Sequence, residues 1–301
     1  MNKIVNRAKQ VYRWVLPHAM RRELRKLWDR EFRWECYQEQ SAVVCESLGR
    51  GIKILLPTDS EVAHDIFMRR FESAEIWFIT AFLRRGETVV DVGANIGLHT
   101  LHAARRVGHS GRVYAFEPCP VPFDYLSKSI QLNRMWHVTC VRAALSNAAG
   151  TATLNVPDKA GLDAFSSLAH EVSPSPDAHR IEVPTLTLDQ YSVEQDLVGK
   201  VVLMKLDVEG WEEHVLAGGR EMLGRPDAPT LLVEFTDNCA QNAGSSCQAL
   251  YRALEELGYH LFRIKMPDRT ILPDPIRQSY PFMNLVATKN HEAVKRRLGG
   301  T

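Results

Sequence analysis

The chain has 301 residues, 45% of them hydrophobic, enough to bury a large core as one α/β domain with additions or as two small domains. Its 37 basic and 36 acidic residues nearly cancel, so the chain as a whole has no drive toward nucleic acid, and no apolar run approaches the ~20 residues of a membrane-crossing helix. Cys36, Cys45, Cys119, Cys140, Cys239 and Cys247 contain no Cys-x-x-Cys pair and read as reduced thiols, and the first residues lack the apolar stretch of a secretory signal, so a cytoplasmic protein is expected.

In chain order, the opening forty residues stand apart. Ile4, Ala8, Val11, Tyr12 and Val15 fall on one helical face, Pro17 interrupts it, and Met20, Leu24, Leu27, Trp28 and Phe32 repeat the pattern. Arg7, Lys9, Arg13, Arg21, Arg22, Arg25, Lys26, Arg30 and Arg33 supply the polar side. Two readings fit: a helical pair packed on the main domain with a solvated basic face, or a basic amphipathic arm whose residues 1–35 touch an anionic membrane or a partner. The first is the simpler. The division expected is 1–40 for this extension, 41–290 for the main domain and 291–301 for a short basic tail with little to pack.

Ala42-Val43-Val44-Cys45 and Ile52-Lys53-Ile54-Leu55-Leu56, separated by Gly49-Arg50-Gly51, read as a small hairpin. A helix is predicted from about Ser73 to Leu83, with Ala74, Trp77, Phe78, Ala81 and Phe82 on its apolar side. Thr88-Val89-Val90-Asp91-Val92-Gly93-Ala94-Asn95-Ile96-Gly97 then reads as a buried strand and a loop whose glycines let backbone approach a ligand, before a helix from about Leu98 that ends at Gly108. Such a loop usually holds phosphate on helix-terminal amides. Asp91 at its mouth argues otherwise, because a carboxylate repels a pyrophosphate and attracts an amino group. Only Gly-x-x-x-Gly is present, so the dinucleotide fingerprint is not met. S-adenosylmethionine, with its ammonium and sulfonium, suits this mouth.

Gly111-Arg112-Val113-Tyr114-Ala115-Phe116-Glu117-Pro118 is predicted as the next parallel strand, with Glu117 at its carboxyl end. Neighbouring strands of an open α/β sheet deliver their ends to one crevice, where such an acid can accept hydrogen bonds from both hydroxyls of a ribose. Asp91 and Glu117, one βαβ unit apart, together describe a nucleoside site that favours a cation near the glycine loop. The plainer reading is a capping Asp91 and a surface Glu117.

Further apolar runs at Val138 to Leu145, Val201 to Leu206 and Thr230 to Phe235 are predicted as parallel strands, with helices at Pro122 to Leu132, Glu212 to Leu223 and Ser246 to Leu257, and strands at Tyr259 to Ile264 and Met283 to Thr288. Seven strands with intervening helices imply an α/β fold built on a doubly wound sheet. From Thr151 to Leu188 the rhythm breaks, with strand-like Thr151 to Val156 and Ile181 to Leu186 around a polar, proline-bearing stretch. This is predicted as an insertion over the site, before the fourth strand.

Lys205-Leu206-Asp207-Val208-Glu209-Gly210 ends that fourth strand with three ionisable groups, which alternation puts on a common side if the strand continues. The first and fourth strands flank the switch point of a doubly wound sheet, so Asp207 and Glu209 should share the crevice of Asp91. A base, a binding carboxylate and a cation can then serve one substrate hydroxyl; a structural ion pair from Lys205 is the competing reading. Two carboxylates without a third evident ligand are a thin basis for a divalent metal, and none is expected. Glu234 is a further acid at a strand terminus, a candidate for substrate contact or a partner for Lys205. Ser167 and His170 in the insertion are candidates to reach the acceptor, whereas His99, lone on its helix, reads as simply satisfied there. No nucleophile elbow Gly-x-Ser-x-Gly occurs, so hydrolysis has little support.

These residues resemble a family. Val90 to Gly97, the Phe116-Glu117-Pro118 step, Ala144-Leu145-Ser146, Thr187-Leu188-Asp189 and above all Lys205 to Gly210 are similar to the FkbM-type methyltransferases, over roughly residues 50 to 288. The resemblance implies a class I, Rossmann-like fold, S-adenosylmethionine as methyl donor, and a hydroxyl acceptor on a sugar, glycolipid or secondary metabolite. By matching position it implies Asp91, Gly93, Asn95 and Gly97 for the methionine portion, Glu117 for the ribose, and the segment of Ala144 and Ser146 for the adenine, while Glu72 matches a glutamate placed before the glycine loop. The cofactor-binding set expected is therefore Glu72, Asp91, Gly93, Ala94, Asn95, Gly97, Glu117, Pro118, Ala144, Ser146 and Asp207. His99 departs from the aromatic or aliphatic residue common at its place.

The expected activity is O-methylation of a small-molecule or glycan acceptor. Asp207 or Glu209 would act as base or orient the acceptor, and Lys205 would steady the developing charge. Two rivals share the fold: a nucleotide-dependent oxidoreductase, which Asp91 disfavours, and a non-catalytic nucleoside-binding module, which intact acids at Asp91 and Glu117 disfavour.

Overall fold

A computed structural model describes residues 18–37, 39–45, 51–156 and 179–299. The N-terminal part comprises α1 (His18–Tyr37), the hairpin strands β1 (Ala42–Cys45) and β2 (Ile54–Pro57), α2 (Glu61–Met68) and α3 (Ser73–Phe82). There follow β3 (Thr88–Val92), α4 (Leu98–Val107), β4 (Arg112–Phe116), α5 (Pro120–Leu132) and β5 (Val138–Val141). β6 (Ala144–Leu145), β7 (Gly150–Val156) and β8 (His179–Leu186) make a separate small sheet, after which α6 (Leu188–Glu194) leads into β9 (Val201–Leu206). The rest is α7 (Glu212–Gly218), α8 (Arg220–Gly224), β10 (Thr230–Phe235), α9 (Asp237–Asn242), α10 (Cys247–Glu256), β11 (His260–Lys265), β12 (Thr270–Pro273), β13 (Met283–Thr288) and α11 (His291–Leu298).

The main sheet runs β12-β11-β13-β10-β9-β3-β4-β5. β3 pairs in parallel with both β4 and β9, so the winding reverses between the first and fourth strands of the domain, as a class I, Rossmann-like sheet requires. β13 lies antiparallel between β10 and β11. The predicted count of seven becomes eight because β12, four residues on the sheet edge against β11, is too short and too polar at its flanks to announce itself. The predicted strand from Val138 to Leu145 divides: Val138–Val141 stays in the main sheet, while Ala144 and Leu145 pair with Thr185 and Leu186 of the insertion.

β3 is buried on both faces from Val89 to Val92, and its valines divide between two packed layers. Val89 packs into the layer with Phe78, Leu101 and Leu126, and Val90 and Val92 into the opposite layer with Leu188, Val215 and Leu250. Each such buried valine contributes about 1.5–3 kcal/mol. Two packed layers fix where the strand ends, and so where the glycine loop begins.

The N-terminal helix follows the packed reading, with a different face. Trp34, 4% exposed, seats α1 against His64 and Phe67 of α2, each ring centroid 5.2 Å away, and Arg30 donates to the Met68 carbonyl at 3.3 Å. Leu27, Trp34 and Tyr37 make the contact, whereas Trp28 and Phe32 are 46% and 66% exposed. Of the predicted stripe, Leu27 keeps its place; the aromatic surface of α2 meets Trp34 and Tyr37, which the pattern left out, and the side chains of Met20 and Leu24 lie outside the described residues. The Ile4 to Val15 pattern and Pro17 lie outside the described residues. Among the described residues no helix is long and apolar enough to cross a membrane. The tail is also better packed than expected: Asn290 caps α11, Val294 is 1% exposed, and Arg297 lies 4.8 Å over the Phe82 ring and 2.7 Å from Glu87.

Candidate functional site

A cavity of about 280 Å³ opens at the carboxyl ends of β3, β4, β9 and β10. Its lining includes Glu72, Gly93, Ala94, Asn95, Glu117, Pro118, Ala144, Lys205, Asp207, Glu209 and Glu234, eleven positions singled out from the sequence. Ser167 and His170 lie outside the described residues.

The glycines work differently from the expectation. Gly93, at φ +80°, packs so closely on the turn after β9 that an added Cβ would sit 1.7 Å from the Asp207 carbonyl oxygen. At Gly97, φ +97°, the same atom would meet a Leu126 methyl at 2.7 Å. Both are needed first for chain to touch chain, Gly93 where β3 meets the turn after β9 and Gly97 where α4 begins against α5; Gly97 does not line the cavity.

Asp91 is likewise not at the mouth. It is 2% exposed behind the loop, where its Oδ2 accepts from Thr100 Oγ1 at 2.5 Å and its Oδ1 has no hydrogen-bond partner. A strand residue whose neighbours face the core on either side has nowhere else to put its side chain, and Asp91 acts from beneath by helping to hold Lys205 charged. Glu117 reaches the cavity as predicted. Its Oε2 accepts from the Asn95 amide at 2.8 Å and its Oε1 from the Cys119 amide at 2.9 Å, which leaves each oxygen further acceptor capacity toward the cavity. Burial pushes this carboxyl up to about 7 even though those amides favour its charge.

Beyond Leu206 the β9 chain turns. Lys205 Nζ lies 2.6 Å from Asp207 Oδ2, with the two side chains 4% and 20% exposed. Burial works against both charges, yet Asp207, Glu72 and Asp91 hold the ammonium above its ordinary range, and Lys205 holds Asp207 below its own. Glu209 leaves strand geometry at φ +53° and accepts from Cys239 Sγ at 3.1 Å. The carboxylates of Asp207, Glu209 and Glu234 all lie within 4.8 Å of one another, so Glu234 supplies the third acid whose absence had argued against a metal. Lys205 already gives this cluster a cation, and protonation relieves the rest. Burial, then Asp207, pushes Glu209 up to about 8 and Glu234 well above the usual carboxylate range. Thr236 donates to Glu234 at 3.0 Å.

On the side of Ala144, Ser146 falls behind the wall instead of lining it. Its hydroxyl accepts from Trp211 Nε1 at 3.0 Å, and Trp211 lines the cavity while stacking on His214 at 3.6 Å. Trp211, Cys239 and the half-exposed Phe282 are lining residues that sequence reasoning missed; an indole directly after Glu209-Gly210 was the one available signal. His99, set aside as satisfied, lines the cavity with its Nε2 2.7 Å from Glu72 Oε2. Glu72, Asn95 and Glu209, at φ +42°, +48° and +53°, hold left-handed backbone that costs roughly 1–3 kcal/mol each, and all three face this one cavity.

The family model described as "Methyltransferase FkbM domain" matches residues 91–261, more than half of the chain. "Methyltransferase sdnD" of Sordaria araneosa is 32% identical over 154 residues, 43% of this chain and 59% of its own length. "31-O-demethyl-FK506 methyltransferase FkbM" of Streptomyces tacrolimicus is 30% identical over 198 residues, 54% of this chain and 74% of its own. The chain thus spans a little under three fifths of the Sordaria relative. Among solved structures, methyltransferase FkbM from Methylobacillus flagellatus superposes with a TM-score of 0.41 at 16% identity, covering 75% of this chain and 54% of that one.

Proposed function

The chain belongs to the FkbM methyltransferase family, and from that premise we propose that it transfers a methyl group from S-adenosylmethionine to a hydroxyl of a small-molecule or glycan acceptor. The observation that carries the reading is a cavity walled by Glu72, Glu117, Asp207, Glu209 and Glu234, with Lys205 neutralised by its neighbours. With Lys205 balanced by Asp207, Glu72 and, once ionised, Glu117 leave this wall acidic, which favours an ammonium and a sulfonium and opposes a diphosphate. Family membership sets aside the oxidoreductase alternative.

The residues fit the donor. Glu72 Oε2 is a buried acceptor without a directed hydrogen bond, suited to an ammonium; Glu117 has spare acceptor capacity for a diol; Phe116, Leu145 and Trp211 offer an apolar slot for a base. When bound, S-adenosylmethionine supplies an electrophilic methyl group on a positively charged sulfur. The chain's own part is to align the acceptor oxygen, exclude water and take a proton. Asp207 is a weak base because Lys205 stabilises its charged form. Glu209, raised to about 8, is matched to accept the acceptor's O–H proton near neutral pH, and we assign it the role of general base. Asp207 and Glu234 then orient the hydroxyl, and Lys205 keeps the charge of Asp207 in place.

Incubation with methyl-labelled S-adenosylmethionine and extracts of the host, followed by mass spectrometry and the NMR shift of the labelled carbon, tests the proposal. An O-methyl product supports it; an N- or C-methyl product refutes the acceptor class. Tight cofactor binding with no product from any extract would favour the non-catalytic module.

A further inference from the structure

We infer that His99 and Glu72 form a zwitterion clamp, in which Glu72 takes the ammonium and His99 the carboxylate of an α-amino-acid end presented by the ligand. The inference rests on the reading above and goes beyond it by assigning a residue that neither the motif nor the pattern of the family pointed to.

His99 is the second residue of α4, and Glu72 directly precedes α3. Their side chains are 9% and 8% exposed. Although Nε2 and Oε2 lie 2.7 Å apart, the imidazole N–H is not aimed along that line, and neither atom has a directed hydrogen bond to any other group. A buried donor and acceptor left this way are costly, and an ion pair without direction is a poor remedy. Glu72 also occupies the N-cap position of α3 in left-handed backbone, with no side-chain hydrogen bond to the helix amides.

A ligand carrying both signs would satisfy both atoms by exchange of partners. An arriving carboxylate has few places to go in this acidic cavity. Of the described lining residues only Lys205 and His99 can carry positive charge, and Lys205 is engaged by Asp207. Glu75 nearby is already bonded to Asn284 at 3.2 Å, and Asp91 to Thr100. His99 lies in the first turn of a ten-residue helix, so the amides at that end add their partial positive charge to the imidazole. An amino-acid carboxylate belongs at His99, and its ammonium at Glu72.

Calorimetric binding separates this from the function itself. S-adenosylhomocysteine carries the amino-acid end; 5′-methylthioadenosine presents the same thioether nucleoside without it. Wild-type protein should prefer the former, and His99→Phe should lower that preference roughly 10- to 100-fold, the size of a lost charge-assisted hydrogen bond, with methylthioadenosine affinity unchanged. Glu72→Gln should erode the same preference. An equal preference in wild type and His99→Phe overturns the clamp. Should His99→Phe bind neither nucleoside, wild type decides: decarboxylated S-adenosylmethionine binding as tightly as S-adenosylmethionine overturns the clamp, and weaker binding supports it. Failure of wild type to bind S-adenosylhomocysteine at all would instead sink the proposed function.

Discussion

As the proposed general base, Glu209 should make the activity steeply dependent on pH. Its carboxyl is pushed up to about 8, first by burial and then by Asp207. A general base works only when ionised, so about one molecule in ten is competent at pH 7 and about nine in ten at pH 9, and kcat/KM should rise roughly tenfold across that interval. The sign is fixed by the group: a carboxyl raised by burial gains its charge late, and activity grows toward alkaline pH. Glu209→Gln should lower kcat/KM by about 10²–10⁴ and flatten the profile, while S-adenosylhomocysteine affinity by calorimetry stays within about threefold. Initial rates of S-adenosylhomocysteine formation between pH 6 and 9.5 provide the test. A wild-type profile flat across pH 7 to 9, or a Glu209→Gln variant that keeps the wild-type slope, would refute the assignment.

Glu117 should leave a mark on stability. Its folded-state value of about 7 lies above the ordinary 4.5, so the stability it contributes is complete below about pH 4.5 and is lost as pH rises through 7, about 3 kcal/mol in all; Glu117→Gln should flatten that part of the Tm-against-pH curve and weaken nucleoside binding. Gly93→Ala combines a left-handed backbone with an atom 1.7 Å from the Asp207 carbonyl, and should cost more than ~3 kcal/mol in urea unfolding or prevent soluble expression; a Tm within a few degrees of wild type would contradict the close approach. Trp34→Ala should cost about 3–5 kcal/mol locally and release α1, seen as rapid proteolysis between residues 18 and 41 with the rest of the chain protected. Equal protease resistance in both proteins would mean that Trp34 does not seat the helix.

Legibility in the sequence followed the physics of each part. The ends of α4 were readable because Gly97 and Gly108 are demanded by backbone conformation, and the switch point because β3 and β9 are continuous apolar runs ending in charge. Glu117 and Lys205 through Glu209 were readable because charged residues at strand tips can face only the crevice. Asp91 misled for the complementary reason: one residue before the end of its strand, it is buried behind the loop against Thr100, and the sequence does not mark which residue ends the strand. Ser146 sits behind Trp211, which sequence reasoning missed, because their contact spans 65 positions, which no local pattern encodes. The pairing of His99 with Glu72 depends in the same way on how α3 and α4 are set side by side.

The left-handed backbone at Glu72, Asn95 and Glu209 has a bearing on any attempt to engineer this protein. Glycine at these places is the obvious first choice for a more heat-resistant variant, since it would relax unfavourable torsions without disturbing the interior. Each replacement would also remove a polar side chain from the lining of the cavity. Hardening campaigns are better directed to the outer helices, with these three positions locked from the start.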